Sequence, residues 1–514
     1  MKKMSFYTGL FLFLSPLLVT AQKKGTAQNP DNSKWPVLFD NYIQNALLTW
    51  KTPGLSVIVV KDSVVVFKKA YGVQDIGNKT PYTTATLSTC ASTTKAMTAV
   101  CMAMLVDEEK VKWSDVVSDI LPEFKLADPY ATAEITIKDL FTHNTGLGNA
   151  DLLWVLGYPR SEILHRMQFV PPAYSLRSSY IYQNLMYMVA GEVIKKISGK
   201  TWDEFITERI FTPLGMKNTF SGYSKITTPS LRTTPHFKDS DDKDSIKAIS
   251  YLTDDNVGAA GGVWSCADDI SKWLRFLLDS TKANGKQLLK PETFRELFKP
   301  QAIVPAAQFY PTLQLTKPHW TTYGLGWFQH DYRGKMVQFH TGSLDGLVAI
   351  CGMIPDSRTA VYIFGNLDHS EIRHALMYKA FDLWTFADNN TDWSTDFYKL
   401  YKNITDTARK RETEQLAKQV KGTQPSLPLK EYAGKYSNKI YGNTEVVITN
   451  DSLTLQFSGS KFNLSLRHWN YDTFRGWYNY WWWGKSFVQF SIDVSGKVSR
   501  LSLDGIIYDK ENQK

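Results

Sequence analysis

The stretch that most restricts what this chain can fold into is residues 96–105, AMTAVCMAML, which carries no charged residue. A helix over these positions is apolar on most sides, has no face left for water, and must run through the interior of a domain. That helix is expected to begin near Ser92. Upstream, Trp35, Val37, Leu38, Tyr42, Ile43, Ala46 and Leu47 recur at helical spacing over residues 34–50. The runs 54–60 and 63–67 are rich in Val and Ile and are separated by Lys61-Asp62, a hairpin signal. A largely helical middle follows to about residue 300, punctuated by turns at Pro213-Leu-Gly-Met216 and Ala260-Gly-Gly-Val-Trp264. Strand character returns at 323–328, 335–339, 346–354 and 360–364, which reads as an antiparallel meander. With the first hairpin as its partner, one sheet would be built from both ends of the domain. The class is therefore α+β, an antiparallel sheet flanked by helices.

The 514 residues exceed one ordinary core. Residues 391–420 are polar and highly charged and read as a solvated helical connector. From about Leu427 apolar and polar residues alternate, as in Ser452-Leu-Thr-Leu-Gln-Phe457, which reads as a small all-β barrel. The expected organisation is a signal peptide over 1–21, a catalytic domain over 22–385, a connector over 386–424 and the barrel over 425–514. Lys2 and Lys3, the apolar run 10–19 and the small residues before Gln22 carry the signal-peptide reading. That run is too short to span a bilayer, and no run of about 18 apolar residues follows, so stable membrane insertion is not expected. Export to a periplasm or beyond the cell follows.

A net charge of +9 without a run of Lys and Arg argues against a nucleic acid partner. No His-x-x-x-His or paired-Cys spacing suggests a metal, and no cofactor is expected. Of Cys90, Cys101, Cys266 and Cys351, Cys101 and Cys351 lie in apolar runs as core thiols, and pairing stays open.

Three short motifs carry chemistry. Ser92-Thr-Thr-Lys95 at a helix start puts an amine beside a hydroxyl on one face. Serine is a weak nucleophile near neutral pH and needs such a base, and burial can lower the lysine pKa enough to supply it. Tyr182-Gln-Asn184 precedes the apolar run 185–194, and His340-Thr341-Gly342 ends a β-run able to lay its backbone along a substrate. Singly these are common: Ser240/Lys243 and Ser458/Lys461 repeat the first spacing, and Tyr401/Asn403, Tyr436/Asn438 and Tyr441/Asn443 the second.

Their order and context resemble the β-lactamase-related serine hydrolases, which include class C β-lactamases, penicillin-binding DD-peptidases, D-aminopeptidases and esterases. The matching phrases are Thr86-Leu-Ser-Thr-Cys-Ala-Ser-Thr-Thr-Lys95, Leu121-Pro-Glu-Phe124, Ile135-Thr-Ile-Lys-Asp-Leu-Phe-Thr-His-Asn-Thr-Gly-Leu147, Phe211-Thr-Pro-Leu-Gly-Met216 and Ala260-Gly-Gly-Val-Trp-Ser265. The resemblance covers about residues 34–385. It implies that Ser92 is acylated, that Lys95 and Tyr182 share the general-base role, and that Tyr182 activates the deacylating water. It further implies that Asn184 bonds substrate or orients Lys95, that the backbone amides of Ser92 and Ser343 stabilise the oxyanion, and that His340, Thr341, Gly342 and Ser343 line the substrate. The β-lactamases usually have Lys where this chain has His340, which is mostly uncharged near neutral pH. The expected substrates are small peptide-like amides or esters, with peptidoglycan fragments as further partners. β-lactam hydrolysis, or acylation without turnover, is the alternative.

Leu429-Lys-Glu-Tyr-Ala-Gly-Lys-Tyr436 resembles the opening of the small lipocalin-like domain that follows some relatives' catalytic domains and caps their active sites. Trp469, Trp477, Trp481, Trp482 and Trp483 are expected in part to fill this barrel and in part to pack on the catalytic domain. His143 reads as a structural loop histidine, Gly261-Gly262 as a tight turn, and Arg333 and Asp345 as surface charges beside the third motif.

Overall fold

The computed structural model describes residues 32–511 apart from 244, 280, 281 and 284, so the signal-type segment lies outside the described residues. Helix α1 (Trp35–Trp50) leads into the hairpin β1 (Gly54–Lys61) and β2 (Val64–Gly72). The main sheet is completed by β3 (Ala302–Ile303), β4 (Thr321–Tyr323), β5 (Phe328–Tyr332), β6 (Lys335–Leu344), β7 (Leu347–Ile354) and β8 (Thr359–Gly365). Its order is β2-β1-β8-β7-β6-β5-β4-β3, so β1 from one end of the domain pairs antiparallel with β8 from the other.

Strand periodicity explains the layers. Along β1, Leu55, Val57 and Val59 point into one core while Ile58 and Val60 point into the other. Val361 and Ile363 of β8 share the first core, and Ala360, Tyr362 and Phe364 the second. Buried on both faces, β1, β7 and β8 therefore read as continuous apolar runs rather than alternating ones. Helices α1 and α5 (Ile372–Phe386) cover one face. The other is covered by α2 (Thr94–Asp107), α3 (Leu185–Ser198) and α4 (Ala267–Leu278). Every residue of α2 from Thr94 to Leu105 is buried, as its uncharged sequence requires.

One predicted strand is a bend. Residues 324–327 connect β4 to β5 instead of extending a strand through 323–328. Gly326 has φ +86°, and a Cβ there would lie 3.0 Å from the backbone of Ala96 in α2, so the bend closes over the start of that helix.

Helix α6 (Trp393–Ala417) occupies the polar stretch, capped by Asp392 and buried only at Trp393, Ser394 and Phe397. It leads to a closed antiparallel barrel of eight strands: β9 (Gly434–Asn438), β10 (Gly442–Thr449), β11 (Ser452–Phe457), β12 (Asn463–Asn470), β13 (Thr473–Tyr478), β14 (Lys485–Ile492), β15 (Val498–Leu503) and β16 (Ile506–Lys510). The expectation that tryptophans fill the barrel fails. Its interior is packed by Tyr432, Tyr436, Leu455, Leu464, Phe490 and Tyr508 among others, while none of the five tryptophans is buried. A small barrel cannot take indoles in every layer, and alternation puts Gly476 inside, against Leu464 and Leu466, where Trp477 faces out. All four cysteines are free and buried. Among the described residues no helix is long and apolar enough to cross a membrane.

Candidate active site

Ser92 stands in the turn Ala91–Thr93 that opens into α2. Ala91 has φ +44°, a left-handed conformation that costs a residue with a side chain about 1–2 kcal/mol. The surroundings hold it there: Ala91 N donates to Thr89 Oγ1 at 2.9 Å, and Thr93 N returns to Cys90 O at 3.1 Å. Ala91 and Thr93 point into the core, and Ser92 alone of the three remains partly exposed.

One turn on, the Lys95 amine lies 3.1 Å from Ser92 Oγ, 2.7 Å from Asn184 Oδ1 and 2.9 Å from Ala260 O. As an ammonium it donates to all three. As an amine it keeps donors on the Asn184 and Ala260 oxygens and turns its lone pair to the serine hydroxyl. Burial pulls the Lys95 pKa down to about 7, against the opposing charges of Asp151 and Asp254. Asn184 Nδ2 donates to Asp151 Oδ2 at 3.0 Å, which fixes the amide with its oxygen towards Lys95. The contacts of Asn184 thus run to Lys95 and to Asp151.

The Tyr182 ring lies 4.7 Å from Lys95 Nζ. Burial keeps the Tyr182 phenol protonated, well above its ordinary pKa. His143, with φ +60°, shapes the loop that presents Tyr182: its carbonyl accepts from Ile181 N and its Nδ1 from Gln183 N, both at 2.9 Å. Its ring packs 4.4 Å from that of Tyr182 and is held neutral by burial. It is structural, as expected.

Strand β6 brings the third motif alongside. A Cβ on Gly342 would lie 2.3 Å from Cys90 O, so only glycine lets the strand approach the Ala91–Thr93 turn this closely. Thr341 Oγ1 bonds the Tyr310 hydroxyl at 2.5 Å, and Ser343 is exposed. His340 differs from its expected place among substrate contacts. Its Nδ1 donates to Thr341 O at 2.6 Å and its Nε2 accepts from the Tyr323 hydroxyl at 2.9 Å, so both nitrogens are committed to protein. Burial first, and then the Lys95 charge, push its pKa down to about 3. The ring is a neutral prop beneath Tyr182.

Asp151, Asp254 and Tyr323 escaped the sequence reading. Asp254 is fully buried, its pKa raised to about 7 by burial and by Asp255, and a Cβ on Gly261 would lie 2.6 Å from its Oδ2. The Gly261-Gly262 pair was the sequence trace of that crowding, but nothing in sequence said what crowds it. Arg333 is a surface charge as expected, paired with Asp382 and Asp388. Asp345 is not. Its carboxylate, in the β6–β7 turn, accepts from the indoles of Trp482 and Trp483 at 2.7 Å each. The barrel makes a second contact beyond Asp151, where Tyr158 donates to Tyr441 O at 3.0 Å and Arg166 to Ile440 O at 3.1 Å. It thus meets the preceding domain at the β6–β7 turn and at Tyr158 and Arg166.

The family model described as Beta-lactamase matches residues 39–381. A second, described as a domain of unknown function (DUF3471), matches residues 418–514. Unguisins hydrolase ungD of Aspergillus violaceofuscus (strain CBS 115571) is 27 % identical over 464 residues, covering 82 % of this chain and 78 % of its own. Protein flp of Staphylococcus aureus (strain NCTC 8325 / PS 47) is 23 % identical over 347 residues, covering 64 % and 62 %. Among solved structures, the octameric penicillin-binding protein homologue from Pyrococcus abyssi superposes with a TM-score of 0.59 at 20 % identity, over 92 % of this chain and 99 % of that one. SurE does so with a TM-score of 0.55 at 17 % identity, over 93 % and 99 %.

Proposed function

We propose, from the premise that this chain belongs to the Beta-lactamase family of serine hydrolases, that it is an exported enzyme cleaving amide or ester bonds of small peptide-like substrates, peptidoglycan fragments among them, through an acyl-Ser92 intermediate. The observation that carries this is the buried amine of Lys95, 3.1 Å from Ser92 Oγ and with a pKa near 7. Deprotonated, it takes the serine proton as the hydroxyl oxygen attacks the carbonyl. The neutral Tyr182 phenol gives its proton to the leaving amine or alkoxide as that group's bond to the carbonyl carbon breaks, and takes one back from Lys95, while the amides of Ser92 and Ser343 receive the oxyanion. In deacylation the same lysine and tyrosine pass a proton from the attacking water to Ser92 Oγ as the acyl–serine bond breaks. The basic, then apolar N-terminal segment supports export to a periplasm or beyond the cell.

Two features favour amides and esters over β-lactams. His340 is neutral and offers no cation to a substrate carboxylate. The barrel also holds the β6–β7 turn that follows the third motif through Asp345, a placement that would favour a short or compact substrate.

Exposure of the mature protein to a fluorophosphonate probe should give one adduct by intact mass, mapped to Ser92 and missing from Ser92→Ala. A folded sample without that adduct removes the acyl-serine reading. Replacing both Trp482 and Trp483 by alanine frees Asp345 and should raise kcat/KM for bulky esters about tenfold, with small esters little changed, because the lost contacts are worth about 1–2 kcal/mol. An unchanged size profile means the indoles do not set the opening.

A further inference from the structure

Behind the strand that carries the third motif lies a buried ion pair that no part of the catalytic scheme uses. Arg373, at the start of α5, is 3 % exposed, and its Nε and Nη2 each bind Glu371 at 3.0 Å. His374 Nδ1 donates to the same carboxylate at 2.7 Å. Burial raises the Glu371 pKa, but Arg373 and His374 more than offset it, so the pair stays ionised. The remaining arginine nitrogen, Nη1, donates to Gly342 O, to Ser343 Oγ at 3.0 Å and to Ala349 O at 3.2 Å.

Gly342 O and Ser343 N–H are the two ends of one peptide group. That peptide is pressed onto the nucleophile turn, since a Gly342 Cβ would fall 2.3 Å from Cys90 O and 3.0 Å from Ala91 Cβ. A charged donor on the carbonyl withdraws electron density from the amide nitrogen and makes its N–H a better donor. Bonding Gly342 on β6 and Ala349 on β7 together, the guanidinium also fixes the direction in which that N–H points.

We propose that Arg373 is a positioning residue for acyl transfer: from behind the strand it orients and polarises the Gly342–Ser343 peptide, whose N–H receives the oxyanion. This rests on the acyl-Ser92 reading above. It also assigns the arginine to the protein and away from a substrate carboxylate, because all its nitrogens are occupied. In sequence, Glu371 and Arg373 are ordinary charges at a helix start.

The test uses the full chain, an isotopically labelled p-nitrophenyl ester, and the infrared carbonyl band of the acyl-enzyme. Two variants are compared: Arg373→Lys, which keeps a cation for Glu371 but lacks the planar fork, and Arg373→Met with Glu371→Gln, which leaves no buried charge unpaired. Acylation is expected to fall about tenfold with KM little changed, a fraction of the loss on removing a whole oxyanion donor. The carbonyl band should move in both towards that of a free ester. A slower reaction with the band unmoved makes Arg373 a mere structural prop, and an unchanged rate overturns the proposal as well. A wild-type protein that never forms acyl-Ser92 overturns the acyl-serine reading itself, whereas a wild-type band that both variants retain overturns this inference alone.

Discussion

Lys95→Met is expected to slow acylation of Ser92 by about 10³-fold, the middle of the range for loss of a general base. Methionine fills the same channel without an amine, so the serine hydroxyl keeps its place and loses its proton acceptor. Tyr182 does not substitute, because burial holds its phenol neutral and a neutral phenol gives protons more readily than it takes them. Stopped-flow measurement of the acylation burst with an activated ester checks this, and a loss below tenfold would move the base elsewhere. In the wild-type protein the acylation rate should rise with pH through about 7 and then level off as Lys95 gives up its proton. That limb should vanish in Lys95→Met. The stability effect has the same sign. The folded lysine binds fewer protons than the unfolded one between about 7 and its ordinary value of 10.5, so its contribution to stability grows as pH rises through that window and is lost as pH falls back. Asp254 acts oppositely: with a folded pKa raised to about 7 from 3.8, it favours the folded state at low pH and loses that contribution as pH rises through 7.

How far the sequence discloses this site depends on whether the information is local. The uncharged run 96–105 forces a buried helix wherever it lies, and α2 is buried throughout its first three turns. Ser92 and Lys95 are three apart at its start, so helical geometry alone brings them together. The sheet was legible because β1, β7 and β8 must be apolar on both faces. Residues 323–328 misled because apolar and aromatic residues suit a strand, while the contact that bends the chain at Gly326 comes from α2, about 230 residues earlier. Long-range carboxylates fail for the same reason. Asp151 reaches Lys95 through its charge and through Asn184, and 33 residues of sequence separate Asp151 from Asn184. Asp345 is an ordinary turn aspartate until the barrel, 137 residues on, sets two indoles against it. Of the two places expected for the tryptophans, Trp482 and Trp483 take the one against the other domain, and none is buried in the barrel, because strand alternation decides which way a residue faces.

Gly342→Ala should reduce kcat/KM by about 10²-fold or more while leaving a folded protein destabilised by about 1–3 kcal/mol. The added methyl cannot stay 2.3 Å from Cys90 O, so either β6 withdraws or the Ala91–Thr93 turn shifts. Neither has a soft side chain to yield, since both partners are backbone. The turn is pinned through Thr93 Oγ1 to the Tyr362 hydroxyl at 2.6 Å, and the strand through Arg373 and through its pairing with β7. The strain therefore separates the serine from the strand peptide by a few tenths of an ångström, which oxyanion stabilisation and nucleophile alignment tolerate poorly. Ser343→Ala is the comparison, since it removes only the hydroxyl that Arg373 also bonds and keeps the peptide. Its kcat/KM should fall less than tenfold. The readout that separates misalignment from unfolding is the ratio of kcat to KM at a temperature well below each variant's Tm: loss confined to kcat places the damage in the transition state. A Gly342→Ala enzyme with wild-type kcat would mean that the strand and the nucleophile turn move independently, and that the close approach is a packing feature without a part in the chemistry.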